Sequence, residues 1–161
     1  MTITSNYIGE TIFVSAGNPT ANTAAAFALL TWTKANGIQQ LPELGTTNAN
    51  IDVEDLESGF TTGVKGAAAG NDSSMAFRSL SASDTGQEII RTAANGQQGL
   101  LSIRIVDGSG VANAPVAGDP LIYAQGYAHS FVENQGNSGA FKGFTASFKQ
   151  NALSIVATVP V

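Results

Sequence analysis

No cysteine occurs in the 161 residues, which removes disulfide frameworks, thiolate nucleophiles and Cys-ligated zinc at once. Histidine occurs once, as His129, so a hydrolase triad would have to depend on that residue. Charge is scarce: Asp, Glu, Lys and Arg make up 12% of the chain, about half the usual roughly 25%. Seven bases stand against twelve acids, a net charge of -5, and the bases are scattered. Nucleic acid is held largely by Lys and Arg that displace condensed counterions, so tight DNA binding is not expected, whereas passing contact is compatible. The longest apolar run, residues 24–30, is far short of the roughly 20 residues that span a bilayer. The opening MTITSNYIGE has neither the basic nor the apolar region of a signal peptide. The expectation is a soluble protein made in a cytoplasm.

A surface this poor in charge has to be covered by Gly, Ser, Thr, Asn, Gln and Ala, as expected where much of it is buried against copies of itself. The length fits one domain, residues 1–161. Residues 1–9 are polar and aperiodic and read as an amino-terminal arm. Residues 10–16 (ETIFVSA) alternate with the period of a strand. Residues 21–26 fit a short helical turn or a loop, and from Phe27 the β-formers Leu29, Leu30, Thr31, Trp32 and Thr33 predict a strand running to Asn36-Gly37, itself a tight turn or a bulge.

Leu41-Pro42-Glu43-Leu44-Gly45 breaks regular structure, because Pro42 lacks a donor and biases Leu41 towards an extended conformation. Glycines at 59, 63, 66 and 70 then favour an exposed hairpin arm over a packed strand pair. Residues 73–80 alternate, with Met75 and Phe77 on one side. Residues 85–95 predict the one convincing helix: Thr85 and Glu88 stand at capping-box spacing, Asp84 adds negative charge, Ile89, Ile90, Ala93 and Ala94 form a stripe, and Asn95-Gly96 ends it. Strands follow at 100–106, 121–132, 141–149 and 153–159, the last two joined by a two-residue hairpin at Gln150-Asn151. Within the second of these, Tyr123, Tyr127, His129 and Phe131 share one face, and Gly126 is a point where the strand could bend. Seven or eight strands and one helix make a mainly β chain, a two-sheet β-sandwich or barrel with one flanking α-helix and a long extended arm between early strands.

No stretch carries a catalytic signature. Asp52, Glu54, Asp55 and Glu57 lack the spacing of a calcium loop and read as a solvated or interface-facing acidic edge. His129 sits in a strand among aromatics with no Gly-x-Ser-x-Gly elbow anywhere, which favours a structural histidine. Gly108-Ser109-Gly110 and Gly136-Asn137-Ser138-Gly139 lack the Lys-Ser/Thr pair of a phosphate loop and read as hairpin tips. Trp32, Tyr123, Tyr127, Phe131, Phe144 and Phe148 stand at strand spacing, where aromatics serve a core or subunit contacts. No cofactor or metal is implied.

The order of features resembles the major tail tube protein of long-tailed (siphovirus-type) bacteriophages. The resemblance rests on an early strand after a polar arm, Trp32 followed by Gly37-Ile38 and Leu41-Pro42-Glu43-Leu44-Gly45, and Ile51-Asp52-Val53 with Asp55-Leu56-Glu57-Ser58-Gly59. It continues through Val64-Lys65-Gly66, the helix introduced by Asp84-Thr85-Gly86-Gln87, a strand ending in Asp107-Gly108, and Tyr123-x-x-Gly126-Tyr127-x-x-Ser130-Phe131 before two closing strands. It runs over residues 10–159.

The resemblance implies a non-enzymatic structural protein of the virion tail, assembled in the host cytoplasm as hexameric rings stacked into a tube. Through that tube the genome passes without specific binding. It implies tape measure, initiator and terminator proteins as further partners, and no membrane insertion. Residues 48–71 would be the inter-subunit arm, with Asp52, Glu54, Asp55, Glu57, Phe60, Val64 and Lys65 at the subunit interface. The rivals are a virion decoration or adhesin-like β-domain that binds a surface glycan or protein, and a hydrolase built on His129. A secretion-system tube is a third, of the same architecture.

Overall fold

The structure, a computed structural model, describes residues 7–80 and 82–161. Most of the expected amino-terminal arm, residues 1–6, therefore lies outside the described residues. In chain order the elements are β1 (Glu10–Ser15), α1 (Ala24–Ala28), β2 (Thr33–Ala35), β3 (Ile38–Gln40), β4 (Thr46–Asp55), β5 (Phe60–Gly70) and β6 (Asp72–Arg78). There follow α2 (Thr85–Asn95), β7 (Leu100–Asp107), β8 (Pro120–Glu133), β9 (Gly143–Gln150) and β10 (Ile155–Thr158). Eight strands form one sheet in the order β2-β1-β7-β8-β9-β6-β3, with β10 also paired to β8, while β4 and β5 form a separate two-stranded sheet. The fold is mainly β and sandwich-like, and the large sheet is not closed into a barrel.

Its curvature follows from one connection. β2 and β3 stand at opposite ends of the large sheet, yet only Asn36 and Gly37 separate them in the chain. The sheet must therefore curl until its two edges meet at that dipeptide. Gly37 serves the corner because its φ is +80 and a Cβ there would lie 2.5 Å from the Arg78 carbonyl oxygen. The Arg78 N–H donates to the Gly37 carbonyl at 2.7 Å. Inside the curl lies the main core: Ile12, Val14, Ile103 and Leu101 from one half meet Met75, Phe77, Phe144 and Phe148 from the other. The strand alternation read for β1 and β6 puts these residues inward as expected.

Helix α2 covers the seam. Its apolar stripe is the predicted one, with Ile90 buried and Ile89, Ala93 and Ala94 packed on the core. The cap is one residue earlier than the capping-box spacing suggested: Asp84 has extended φ/ψ and its carboxylate accepts from the Gln87 N–H at 3.0 Å. The same carboxylate accepts from Asn36 Nδ2 at 2.7 Å, so the tertiary corner selects the capping residue. Gln87 Nε2 donates to the Asn36 carbonyl at 2.6 Å and to the Arg78 carbonyl at 3.0 Å, which ties the helix to the β2–β3 corner and to the end of β6. Gly86 presses on β2, since a Cβ there would be 2.4 Å from the Lys34 carbonyl oxygen.

Three expectations are corrected. First, residues from Phe27 to Trp32 are not strand: Phe27 ends buried in α1, Trp32 precedes β2, and its indole N–H donates to the Phe27 carbonyl at 3.0 Å. Phe27 and Trp32 instead cover the outer face of the sheet over Tyr123, with Phe27 stacked on that ring at 4.8 Å. Second, β9 and β10 do not form a hairpin; both pair antiparallel with β8, one after the other along the same edge. The break between them is held by Gln150, 1% exposed, whose Nε2 donates to the Ala152 carbonyl and to Ser154 Oγ. Third, the alternation of β8 is interrupted at His129, where the register with β9 shifts by one residue between Ala128 and Ser130. Phe131 therefore turns inward to stack on Phe144 at 4.6 Å instead of sharing a face with Tyr127. The pairing with β9 begins at Gly126.

Candidate subunit-contact site

The hairpin β4–β5 is the element that the rest of the fold does not use. Its register pairs Ile51 with Val64, Val53 with Thr62 and Asp55 with Phe60, and in alternation Asn50 with Lys65, Asp52 with Gly63 and Glu54 with Thr61. Cross-strand partners share a face, so one face carries Ile51, Val53, Phe60 and Val64 and the other carries Asn50, Asp52, Glu54 and Lys65. The ribbon is amphipathic, yet neither face is covered: every residue of β4 from Thr47 onward is exposed, as is nearly all of β5. Apolar side chains are conspicuous in this exposure, with Leu56 96% and Phe60 74% exposed. A contiguous apolar strip of this kind, rimmed by polar groups, marks an interaction surface.

The tip is ordered by its own chemistry. Gly59 adopts φ +66 and its N–H donates to the Asp55 carbonyl at 2.9 Å. The Asp55 carboxylate accepts from the Ser58 hydroxyl and from the backbone N–H groups of Glu57 and Ser58, which holds its pKa below the ordinary carboxylate value. The root is fixed as firmly. Gln150 Oε1 accepts from the Gly45 N–H at 2.9 Å, the Asn71 N–H donates to the Gly45 carbonyl, and the Gln150 N–H donates to the Asn71 carbonyl. Lys149 Nζ donates to the Gly70 carbonyl at 2.7 Å, and a Cβ on Gly70 would stand 1.9 Å from the Gln150 carbonyl oxygen. A rigid root and an uncovered blade suit contact with another molecule. Gln150, which anchors that root, was read from the sequence only as half of a turn; a buried glutamine at a strand end carries no periodic signal.

All seven residues expected at an interface, Asp52, Glu54, Asp55, Glu57, Phe60, Val64 and Lys65, stand together on this hairpin. They do not share one face: Phe60 and Val64 lie with Asp55 on the apolar side, and Asp52, Glu54 and Lys65 lie opposite, with Glu57 in the tip. The acidic residues do not converge on a metal centre, and no group of three or more His, Asp or Glu suited to an ion occurs among the described residues.

His129 stands on the bulge of β8, with Nε2 2.9 Å from Asp72 Oδ1 and its ring against Tyr127 at 5.8 Å. Both partners are partly exposed. Among the described residues no serine hydroxyl is hydrogen-bonded to this imidazole, so the pair lacks the nucleophile a triad needs. Gly108-Ser109-Gly110 begins the β7–β8 connection, where Asp119 accepts from Ser109 N, Ser109 Oγ and Val116 N. Gly136-Asn137-Ser138-Gly139 lies in the β8–β9 connection. A concavity of about 1000 Å³ opens beside β3 and is lined by Leu41, Pro42, Leu44, Ile122 and Val156, with Glu10, Glu43 and Asp107 also in its wall.

A curled sandwich with one helix on its seam and an uncovered two-stranded arm defines the class. No protein-family model and no curated protein matches the chain, but solved structures do. A chain of the anti-feeding prophage baseplate, determined with 6-fold symmetrisation, superposes over 100% of both chains with a TM-score of 0.63 at 10% identity. A chain of the SPP1 tail tube matches over 94% of this chain and 78% of its own, with a TM-score of 0.59 at 12% identity. A chain from the C6-symmetric tail of a GTA particle matches over 96% and 98%, with a TM-score of 0.57 at 11% identity. At such identities the likeness is one of fold, and the fold is the one seen in phage-type tail structures. No helix among the described residues is long and apolar enough to cross a membrane.

Proposed function

We propose that this chain is a structural tail tube subunit that polymerises as stacked hexameric rings into the conduit through which a phage genome is delivered. The observation that carries the reading is the uncovered amphipathic arm on a tail-tube fold: an exposed strip of Ile51, Val53, Leu56, Phe60 and Val64 would gain burial against another subunit. Ring formation would also remove the open edges β2 and β3 of the large sheet, and unpaired edges otherwise invite uncontrolled pairing. Head-to-tail contacts close into rings when the rotation between copies allows it. The net charge of -5 suits passage of DNA, because a basic wall would retain the phosphate backbone. Chemistry on a substrate is not part of the reading. The chain would reside in the virion tail, after assembly in the host cytoplasm, in company with tape measure, initiator and terminator proteins. The adhesin-like alternative calls for a compact aromatic-polar site, and the concavity beside β3 offers one aromatic lining residue, Tyr7.

The test removes the arm. Thr46 and Gly70 are cross-strand partners, so residues 47–69 can be replaced by two glycines without moving the root. None of the buried core residues comes from the excised segment, so the shortened protein is expected to keep its far-ultraviolet circular dichroism and cooperative melting while losing rings and tubes in negative-stain micrographs. Tubes of normal appearance from the shortened chain would sink the role given to the arm.

A further inference from the structure

The arm and two cations without a carboxylate partner, Arg78 and Lys142, stand at opposite ends of the same strands. β6 begins at Asp72, beside the arm root, and ends at Arg78; β9 runs the other way, from Gly143 beside Arg78 to Gln150 at the root. Seven residues at about 3.3 Å each put roughly 20 Å between the two ends. At the far end Lys142 adjoins Arg78, since the Ser79 N–H donates to the Lys142 carbonyl at 2.9 Å. The ion pairs among the described residues are Arg91 with Glu88 and His129 with Asp72, so neither Arg78 nor Lys142 has a carboxylate partner. Around them lie exposed apolar side chains: Phe141, Leu80, and Val132, which is in register with Thr145 on the face of Arg78. Of the nearby carboxylates, Glu133 is in register with Phe144 on the face that Lys142 takes opposite Ser79, away from Arg78, and Asp84 is held by Asn36 and the Gln87 N–H, so Arg78 faces neither.

The arm is the chemical complement of this end. Residues 46–70 carry four carboxylates and one lysine, three of the chain's five net negative charges, together with the exposed Leu56 and Phe60. We propose that the acidic-apolar tip of the arm, Asp55 to Phe60, docks on the Arg78–Lys142–Phe141 end of a second copy of this chain. This assignment rests on the tube reading and adds the receptor that the arm meets. Because donor and receptor surfaces lie at opposite ends of one subunit, the contact is head-to-tail and repeats from copy to copy. Opposite charges steer the approach and set the register, and apolar contacts at Leu56, Phe60 and Phe141 supply burial.

The chain lacks cysteine, so engineered thiols report the contact directly. In Ser58→Cys/Ala140→Cys, both positions are exposed and every charge is kept. Oxidation of the assembled protein is expected to give a ladder of disulfide-linked multimers on a non-reducing gel. Its yield should be about tenfold or more above either single variant, because docking raises the effective concentration of the two thiols. Adding Arg78→Glu/Lys142→Glu should abolish the ladder, and further adding Glu54→Lys/Glu57→Lys, which spares the Asp55 carboxylate that orders the tip, should restore it. A ladder that is absent from the parent pair, or that survives the reversal of Arg78 and Lys142, overturns the docking. Micrographs of the same samples separate the two readings: tubes without a ladder remove the docking and leave the tube, whereas a ladder without rings or tubes supports the docking and removes the tube.

Discussion

Replacing Gln87 by alanine is expected to loosen the seam where the two edges of the large sheet meet. The Gln87 amide donates to the Asn36 carbonyl at 2.6 Å and to the Arg78 carbonyl at 3.0 Å, and the residue is buried. Each bond contributes about 0.5–1.5 kcal/mol net, so losing both costs about 2 kcal/mol. For chains of 150–250 residues 1 kcal/mol shifts Tm by about 2–4 °C, which gives a fall of about 4–8 °C in calorimetry of unassembled subunits. Gln87→Glu sharpens the test, since it keeps the length but presents a carboxylate to two carbonyls beside Asp84. It should be worse than alanine at pH 7 and should recover on acidification, when a protonated carboxyl can donate again. A Gln87→Ala melting point within about 1 °C of the parent, or a Glu variant no worse than Ala at pH 7, would refute the assignment of the seam to this side chain.

Three further outcomes can be checked by the same melting measurements. Gly86→Ala, although a better helix former, should destabilise by about 1–3 kcal/mol through overpacking, because its Cβ would press on the Lys34 carbonyl; a rise in Tm would contradict the close approach of α2 to β2. Glu10 has its pKa raised by burial and then by the charge of Asp107. Its favourable contribution is therefore present at acid pH and lost as pH rises through the folded value. Glu10→Gln should accordingly raise Tm at pH 7, with a gain that vanishes in acid, and an unchanged Tm at pH 7 would count against the pair. Asp119 behaves oppositely: the Ser109 hydroxyl, and then the N–H groups of Ser109 and Val116, lower its pKa. Its contribution is present above the ordinary carboxylate range and lost as pH falls through the folded value. Asp119→Asn should flatten the acid limb of the stability curve, and an unaltered limb would argue against that clamp.

Local chemistry made some of this structure readable from the chain. The stripe Ile89, Ile90, Ala93, Ala94 and the stop at Gly96 bounded α2 because the helix is amphipathic over its whole length. Met75 and Phe77 pointed to the core face of β6 for the corresponding reason in a strand. The glycines at 59, 63, 66 and 70 marked the arm, since few packed strands tolerate so many. What stayed hidden depends on partners far away in sequence. Phe27 and Trp32 look like strand residues in isolation and become a cover over Tyr123 only because the outer sheet face needs one. Nothing in Tyr127-Ala128-His129-Ser130-Phe131 reveals a bulge, because the residue pattern still alternates there while the shift in register with β9 turns Phe131 to the opposite face from Tyr127. The break between β9 and β10 is set by Gln150 and its bonds to residues 45, 152 and 154, and the meeting of β2 and β3 across Asn36-Gly37 is a property of the whole sheet. The candidate site was legible as a segment, residues 48–71, but its division into an apolar and an acidic face required the pairing of Ile51 with Val64 and Asp52 with Gly63.

The central claim is that the subunits stack into a tube through their arms. Electron microscopy of the purified protein at rising concentration, alone and co-expressed with an initiator complex, tests it most directly. The account predicts sixfold rings and tubes with an open central channel. Discrete single subunits under both conditions would contradict it.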